Sequence, residues 1–313
     1  MNTSQERHES ATSELGLGTS SYHNGTKGAQ SFDDFLALID SAITQGVSHI
    51  DTARTYLGGE SERWVGKALH ELNARKKVSI ATKCHLQPSS EESKRMVDLS
   101  FSQLDVDFID IYYIHWPKEG ISSYAMLETL FRYKDEGLIG EIGLCNYPVS
   151  LIEEFIDDFS IAYYQFGYNL LWRIPEFEII PFCRKHGIAL ITYSSLAQGL
   201  LTKKQFPSVL PKSDVRNNSA LFAPQVYKNV LSTSNELKSL ADSHDMSIQA
   251  LAMHWLLSQE AVRTVLFTAS SIMQLQENVE ALSCTVDSQV IEEATHISSL
   301  LKAILPTATT LFS

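Results

Sequence analysis

Short runs of apolar residues alternate with amphipathic stretches along most of the chain, beginning near Leu15. Near-continuous apolar runs of this length are typical of parallel strands that are covered on both faces. The pattern predicts eight strands, which read in chain order ELGLGT, HIDTA, VSIATKC, DIYYIHW, EIGLCN, YYQFGYN, IALITYS and VRTVLFT.

The stretches between the strands carry apolar residues at helical spacing. The first, SFDDFLALIDSAITQGV, has Ser31 and Asp34 in the positions of a capping box and Gly46 where a helix would end. Further helices are predicted at residues 60–73, 89–104, 122–136, 150–157, 176–186, 234–244 and 247–259, and from residue 271 onwards.

This alternation of strands and helices predicts an α/β fold, a single-domain (β/α)8 TIM barrel. A doubly wound open sheet produces the same alternation. It is disfavoured because no GxGxxG motif follows the first strand, and ELGLGT leads into a polar segment rather than into a helix. We expect the barrel to span residues 14–313 and a mobile polar tail to occupy residues 1–13.

One connection is long and has no periodicity. It covers residues 196–230 and is rich in Pro, Asn and Ser. A loop of this length inside a compact domain is usually a functional flap or a mobile segment.

The charge and the cysteines narrow the class of protein. The formal net charge is −12 and the chain has no basic run, which argues against a nucleic-acid partner. Cys84, Cys145, Cys183 and Cys284 show no CxxC or Cys/His ligand spacing, which favours a reducing, cytoplasmic location without structural zinc. Neither a signal peptide nor a membrane-spanning run is evident, so no membrane partner is expected, and the oligomeric state is left open.

Polar residues stand where the predicted strands end, which is where a barrel places its active site. Asp51 ends the second strand, Tyr56 follows one loop later, Lys83 ends the third strand and His115 the fourth. Other strand ends carry Asn146, Gln165, Asn169, Tyr193 and Ser194. Taken singly, Asp51 suits a turn cap and His115 a structural histidine. Taken together, Asp51, Tyr56, Lys83 and His115 indicate a catalytic site.

These residue types suit proton transfer to a carbonyl oxygen. A phenol has a pKa of about 10 and is a weak acid at neutral pH. A neighbouring ammonium lowers that pKa, and a carboxylate keeps the ammonium charged and oriented. An imidazole can hydrogen-bond the carbonyl oxygen and place it beside the tyrosine. The site contains no hydride donor, so a nicotinamide has to be bound as a cofactor.

The segments around these residues are similar to motifs of the aldo-keto reductase superfamily, over residues 15–282. DTARTYLGGESERWVGKAL resembles the signature DTAxxYGxxSExxLGxAL, ATKC its strand-end lysine, and YYIHWP its histidine segment. GEIGLCNY resembles GxIGVSNF, YQFGYNLL resembles QxxYNLL, ITYSSLAQGLL resembles YSPLxxGLL, and QLQENVEAL resembles QLEENLxAL.

The resemblance implies a (β/α)8 barrel that binds NAD(P)H at its C-terminal face, with no Rossmann fold and no metal. It implies reversible reduction of an aldehyde or ketone, such as a sugar or another small carbonyl compound, to an alcohol. Carried over by position, Tyr56 is the general acid/base and Lys83 lowers its pKa. Asp51 pairs with Lys83, and His115 orients the carbonyl.

For the cofactor, the resemblance implies that Tyr193 stacks on the nicotinamide while Asn146 and Gln165 bind its carboxamide. The residues expected along the rest of the nucleotide are Thr19, Ser194, Leu196, Gln198, Ser270, Ser271, Gln274, Glu277 and Asn278. Those expected in the substrate pocket are Tyr22, Trp116, Tyr147 and Trp172. Residues 196–230 would cover the pyrophosphate, with Lys203 or Lys204 available to a phosphate. For the two serines at 270 and 271, a simple helix cap is the alternative role.

Several positions depart from the family motifs. Cys145 stands where Ser is usual, Ser195 replaces the Pro of YSPL, and Phe267 with Thr268 replaces Pro-Gly or Pro-Lys. Thr268 and Gln274 occupy places where some members have Lys and Arg against the 2′-phosphate, which weakens the case for NADP(H). Other members with a similar Ser/Gln pattern resemble NADP(H) binders, so NADP(H) is expected slightly ahead of NAD(H).

One alternative of another class stays open. Some relatives of the family keep the barrel and the bound nucleotide but act as regulatory subunits with negligible turnover. The presence of all four catalytic residue types favours the enzyme. A hydrolase or isomerase barrel is disfavoured, because no second strand-end carboxylate pairs with Asp51 and no metal-ligand cluster is evident.

Overall fold

The predicted strands are present and close into one parallel barrel in chain order. They are β1 (Leu15–Gly18), β2 (His49–Asp51), β3 (Ser79–Cys84), β4 (Ile109–Ile114), β5 (Ile139–Cys145), β6 (Tyr163–Gly167), β7 (Ala189–Tyr193) and β8 (Val262–Phe267). The structure, a computed structural model, describes residues 14–20, 31–212, 214–305 and 310–311. The predicted tail at residues 1–13 and the predicted pocket residue Tyr22 lie outside the described residues.

Helices connect the strands and surround the barrel. They are α1 (Phe32–Thr44), α2 (Glu60–Glu71), α3 (Ser90–Leu104), α4 (Tyr124–Asp135), α5 (Val149–Ile152), α6 (Ile179–His186), α7 (Pro224–Ser243), α8 (Ile248–Leu257), α9 (Ile272–Glu280) and α10 (Ser288–Ile304). Ser31 caps α1 by accepting a hydrogen bond from the Asp34 amide, as its sequence predicts. The (β/α)8 prediction is therefore confirmed.

Two predicted elements have different bounds. The helix expected at residues 150–157 is only the single turn α5. The irregular connection expected to reach residue 230 ends earlier, because α7 begins at Pro224. Proline is favourable in the first turn of a helix, and Val226, Tyr227 and Val230 form the buried face that follows it. The connection itself contains short 3-10 turns at Ala197–Gly199, Val215–Asn218 and Ala220–Phe222.

The core has two layers because side chains alternate along each strand. A small cluster fills the barrel interior: Ala81, Ile111, Tyr113, Cys145, Ile191 and Leu266. A much larger cluster lies between the strands and the helices. Gly143 makes room for the interior cluster, since a Cβ atom there would overlap the Tyr113 ring.

Among the described residues, no helix has the length and apolarity needed to cross a membrane. The cytoplasmic location expected from the sequence stays a prediction.

The close contact between α2 and α3 gives a test of this packing. A Cβ atom at Gly66 in α2 would overlap the backbone carbonyl of Leu104 at the end of α3. Glycine to alanine normally stabilises a helix, but here overpacking predicts that Gly66→Ala lowers the free energy of unfolding by about 1–3 kcal/mol. Urea denaturation measures the change. The exposed control His70→Ala on the same helix should alter stability by less than about 0.5 kcal/mol, and a stabilising Gly66→Ala would contradict the contact.

Candidate functional site

A buried ion pair lies at the mouth of the barrel, the end at which the strands reach their C-termini. The Nζ atom of Lys83 is 2.6 Å from Oδ1 of Asp51 and 2.8 Å from the carbonyl oxygen of Thr52. Both charged side chains are almost fully buried. Burial lowers the pKa of Lys83, but the charge of Asp51 and its hydrogen bond outweigh burial and raise that pKa above its ordinary value. Lys83 is therefore a cation at neutral pH.

The side chains of two further residues hold Asp51. Its Oδ2 atom accepts a hydrogen bond of 2.8 Å from Nε2 of Gln165, and its backbone carbonyl accepts one of 3.1 Å from the Thr19 hydroxyl. The Ser61 hydroxyl lies 2.7 Å from the Thr19 hydroxyl and 2.9 Å from that of Thr52. Thr19 and Gln165 were predicted to contact the cofactor. In this structure Gln165 holds the carboxylate of Asp51 and Thr19 holds its backbone carbonyl.

Tyr56 lies beside the ion pair. Its ring centre is 5.3 Å from the Lys83 nitrogen. Burial raises the pKa of the phenol, the charge of Lys83 lowers it, and Asp51 raises it again. The net pKa lies above the ordinary value. Lys83 acts in the predicted direction, but burial and the neighbouring carboxylate outweigh it.

The loop that carries Tyr56 has an unusual backbone. Leu57, Gly58 and Gly59 all have positive φ, of 51°, 64° and 97°. The φ of 97° at Gly59 favours glycine, and a Cβ atom there would also overlap the guanidinium of Arg54. The turn occupies residues 57–59, and α2 begins directly after it at Glu60.

His115 follows β4 and packs edge-on against Tyr56, with ring centres 5.9 Å apart. Its Nδ1 atom lies 3.4 Å from the Thr55 hydroxyl. Burial, with the nearby charges of Lys83 and His85, lowers the pKa of His115 to about 2. The imidazole is therefore neutral at neutral pH.

Asn146 and Tyr193 occupy the adjoining side of the mouth. The Tyr193 hydroxyl donates a hydrogen bond of 2.7 Å to Oδ1 of Asn146, whose Nδ2 atom donates to the His115 carbonyl at 3.3 Å. Asn146 has a positive φ of 59°, which Asn tolerates better than most residues. Cys145, at the position where the family usually has Ser, is fully buried in the barrel interior.

The loop after β7 contains several residues with positive φ. Ser194, Ala197, Gln198 and Gly199 have positive φ between 49° and 97°. Turns of this type expose backbone N–H groups that suit an anion. The Oε1 atom of Gln198 is buried and has no hydrogen-bond partner among the described residues. Leu196, in the same loop, is half-buried.

The start of α9 is capped by its own side chains. Ser271 accepts a hydrogen bond from the Gln274 amide, and Oε1 of Gln274 accepts from both the backbone and the hydroxyl of Ser270. The helix cap named as an alternative role is thus present. Both serines and Glu277 are exposed, whereas Asn278 is buried.

The predicted pocket residues separate into two groups. Trp116 lies beside His115, with ring centres 6.4 Å apart. Tyr147 and Trp172 are fully buried in the larger core cluster, where the Tyr147 hydroxyl is 3.2 Å from that of Ser123. Their burial gives these two side chains a packing role in this structure.

One residue at the mouth is absent from the sequence prediction. His85 lies against His115, with ring centres 5.4 Å apart. Its signal in the sequence is its position two residues beyond Lys83, which places both side chains on the same face of the strand. In the parts of the chain that the structure describes, no group of three or more His, Cys, Asp or Glu side chains is arranged to hold a metal ion.

The ion pair gives a stability test. Removing one partner of a buried pair leaves an uncompensated charge, so we expect Asp51→Asn and Lys83→Met each to cost about 3–5 kcal/mol of unfolding free energy. The double variant should cost clearly less than the sum of the two. Because the folded pKa of Lys83 is raised, its contribution is complete below about pH 10.4 and is lost only as the pH rises further. Urea unfolding at neutral pH therefore measures it, and additive costs would contradict the pairing.

Comparisons with known proteins agree with this geometry. The model of the Aldo/keto reductase family matches residues 14–299. The chain is 31% identical to the aldo-keto reductase YhdN of Bacillus subtilis over 288 residues, which cover 88% of this chain and 87% of the relative. It is 31% identical to the NADH-specific methylglyoxal reductase of Escherichia coli over 295 residues, covering 87% of this chain and 90% of the relative.

A solved structure gives the same result. The glycerol dehydrogenase of Gluconobacter oxydans superposes with a TM-score of 0.82 at 26% identity, and the match covers 92% of each chain. The chain therefore belongs to the aldo/keto reductase family, whose members use NAD(P)H, and it is an oxidoreductase.

Proposed function

We propose that the protein reversibly reduces an aldehyde or ketone, either a sugar or another small carbonyl compound, to the alcohol. The observation that carries this proposal is the buried Lys83 ammonium, which lies 5.3 Å from the centre of the Tyr56 ring and is paired with Asp51. Two of the related proteins are, by name, a methylglyoxal reductase and a glycerol dehydrogenase, and both names refer to small oxygenated compounds.

Tyr56 is the proton donor. Its raised pKa keeps the phenol protonated at neutral pH, which is the form needed to protonate a carbonyl oxygen. The nicotinamide, when bound, supplies the hydride to the carbonyl carbon. As the carbonyl oxygen gains negative charge, it takes the phenol proton, and the developing phenolate is stabilised by the Lys83 ammonium. In the reverse reaction the phenolate removes the proton from the alcohol.

His115 positions the carbonyl. Because its pKa is about 2, the ring is neutral and can donate a hydrogen bond to the carbonyl oxygen without protonating it. Thr55 contacts Nδ1, so we assign Nε2 to the substrate. Trp116 borders the same pocket.

The residues present fit a nicotinamide nucleotide. The buried Oε1 atom of Gln198 has no hydrogen-bond partner among the described residues. The positive φ angles of the loop after β7 are of the kind that exposes backbone N–H groups to an anion such as a pyrophosphate. We assign Tyr193 to the nicotinamide ring and Asn146 with Gln165 to its carboxamide. The remaining contacts are assigned to Thr19, Ser194, Leu196, Ser270, Ser271, Gln274, Glu277 and Asn278.

Of the two nucleotides, we place NADP(H) slightly ahead of NAD(H). The hydroxyls of Ser270 and Ser271 are exposed at the start of α9, and Lys203 and Lys204 are exposed in the loop after β7. These groups can bind a 2′-phosphate. The E. coli relative is NADH-specific by name, so the two nucleotides have to be compared directly.

Replacement of the phenol tests the chemistry. We expect Tyr56→Phe to lower kcat for aldehyde reduction by at least about 100-fold, because the proton donor is lost. Thermal stabilisation of the variant by NADPH and by NADH should match that of the wild type, with the larger stabilisation from NADPH.

Tyr124→Phe, on the outer helix α4, is the matched control and should keep wild-type activity. Tight nucleotide retention without turnover of any carbonyl compound by the wild type would contradict the proposal and favour the regulatory alternative.

The pH dependence of the rate should differ between the two directions. With the pKa of Tyr56 raised above about 10, kcat/KM for reduction should stay level from about pH 6 to about pH 9. Alcohol oxidation needs the phenolate and should rise with pH over the same range. His115, whose pKa is about 2, should add no inflection. Steady-state rates in both directions provide the check, and a fall in reduction centred near neutral pH would contradict the assignment.

A further inference from the structure

The inner face of β3 continues past Lys83 to a second polar side chain. Along this strand Ala81 faces the barrel interior, whereas Ile80 and Cys84 pack in the outer layer. This alternation has a period of two residues. His85, two residues after Lys83, therefore lies on the inner side of the barrel, next in line after the ion pair.

The neighbouring strand brings His115 to the same level. In β4, Ile111 and Tyr113 face the interior, and His115 follows in the same alternation. The strands are paired in parallel, with Lys83 opposite Tyr113, and the His115 amide donates to the Cys84 carbonyl at 2.8 Å. The rings of His85 and His115 consequently lie side by side, inclined by 31°.

His85 differs from His115 in being exposed. It lies at the outer edge of the mouth, where a substrate larger than a bare carbonyl group would extend. Partial burial and the charge of Lys118 lower the pKa of His85 below its ordinary value. Both imidazoles are neutral at neutral pH, and each offers one N–H donor and one acceptor.

The rings of His85 and His115, whose centres are 5.4 Å apart, can each hydrogen-bond one of two oxygen atoms on adjacent carbons. We propose that His85 is a specificity-determining residue that binds an oxygen on the carbon next to the reacting carbonyl, so that the preferred substrates are α-oxygenated aldehydes or ketones. The inference rests on the proposed function, in which His115 binds the carbonyl oxygen. A simple aldehyde leaves His85 hydrogen-bonded only to water.

The test compares 2-hydroxypropanal with propanal, which differ by one hydroxyl group. We expect His85→Ala to lower kcat/KM about tenfold for 2-hydroxypropanal, the effect of one lost hydrogen bond, and less than about twofold for propanal. His85→Gln keeps an N–H donor and should restore part of the loss. The ratio of wild type to variant for each substrate cancels the different hydration of the two aldehydes.

His244→Ala, an exposed histidine at the end of α7, is the control and should change neither ratio. Equal losses for both aldehydes in His85→Ala would mean that His85 only packs against His115, and would overturn the inference. Unchanged rates for both aldehydes would overturn it as well. In each of these cases the wild type still reduces propanal, which separates this failure from that of the proposed function. If the wild type reduces neither aldehyde nor any other carbonyl compound, that result contradicts both this inference and the proposed function.

Discussion

The salt bridge between Lys83 and Asp51 sits out of contact with water, and the rest of the site is arranged around it. Two charges are stable in such a place only when each is fully compensated by protein groups. The carbonyl of Thr52 accepts a hydrogen bond from the lysine, Gln165 donates one to the carboxylate of Asp51, and Thr19 donates one to the backbone carbonyl of Asp51. These partners come from β1, β2 and β6 or from the turns that follow them, so only the closed barrel brings them together. The fold thus supplies a permanent cation beside the phenol.

The charge balance around Tyr56 explains why the site suits reduction. Burial holds the proton on the phenol, and the charge of the adjacent ammonium favours the phenolate. In the proposed reaction that charge would stabilise the phenolate left after proton transfer. His115, kept neutral by burial and by Lys83, can direct a carbonyl without competing for the proton. One buried cation therefore acts on both groups, lowering the pKa of each. Asp51 moderates its effect on Tyr56, which leaves the acid form in place at neutral pH.

The sequence predicted the barrel and its strand ends well, because parallel strands buried on both faces leave a strong apolar pattern. Asp51, Lys83 and the turn after Tyr56 follow from the same pattern. The features that the sequence does not predict depend on tertiary contacts. No local signal decides between the substrate pocket and the core for Tyr147 and Trp172, or shows that Gln165 donates to an aspartate far away in the chain. The net pKa of Tyr56 depends on the balance between its burial and the charges around it, and the folded structure sets that balance. His85 has a signal in the sequence, its position two residues after Lys83, but it is not among the site residues predicted from the sequence.

The most direct test of the central claim is a single-turnover measurement on the double variant Asp51→Asn/Lys83→Met, which removes both charges and leaves neither uncompensated. Reduction of an aldehyde by enzyme loaded with nucleotide is followed through the loss of reduced-nicotinamide absorbance. We expect the rate to fall at least about 100-fold below that of the wild type, with nucleotide binding retained, because the phenolate loses its stabilising cation. A rate equal to that of the wild type would show that the buried pair serves only the fold.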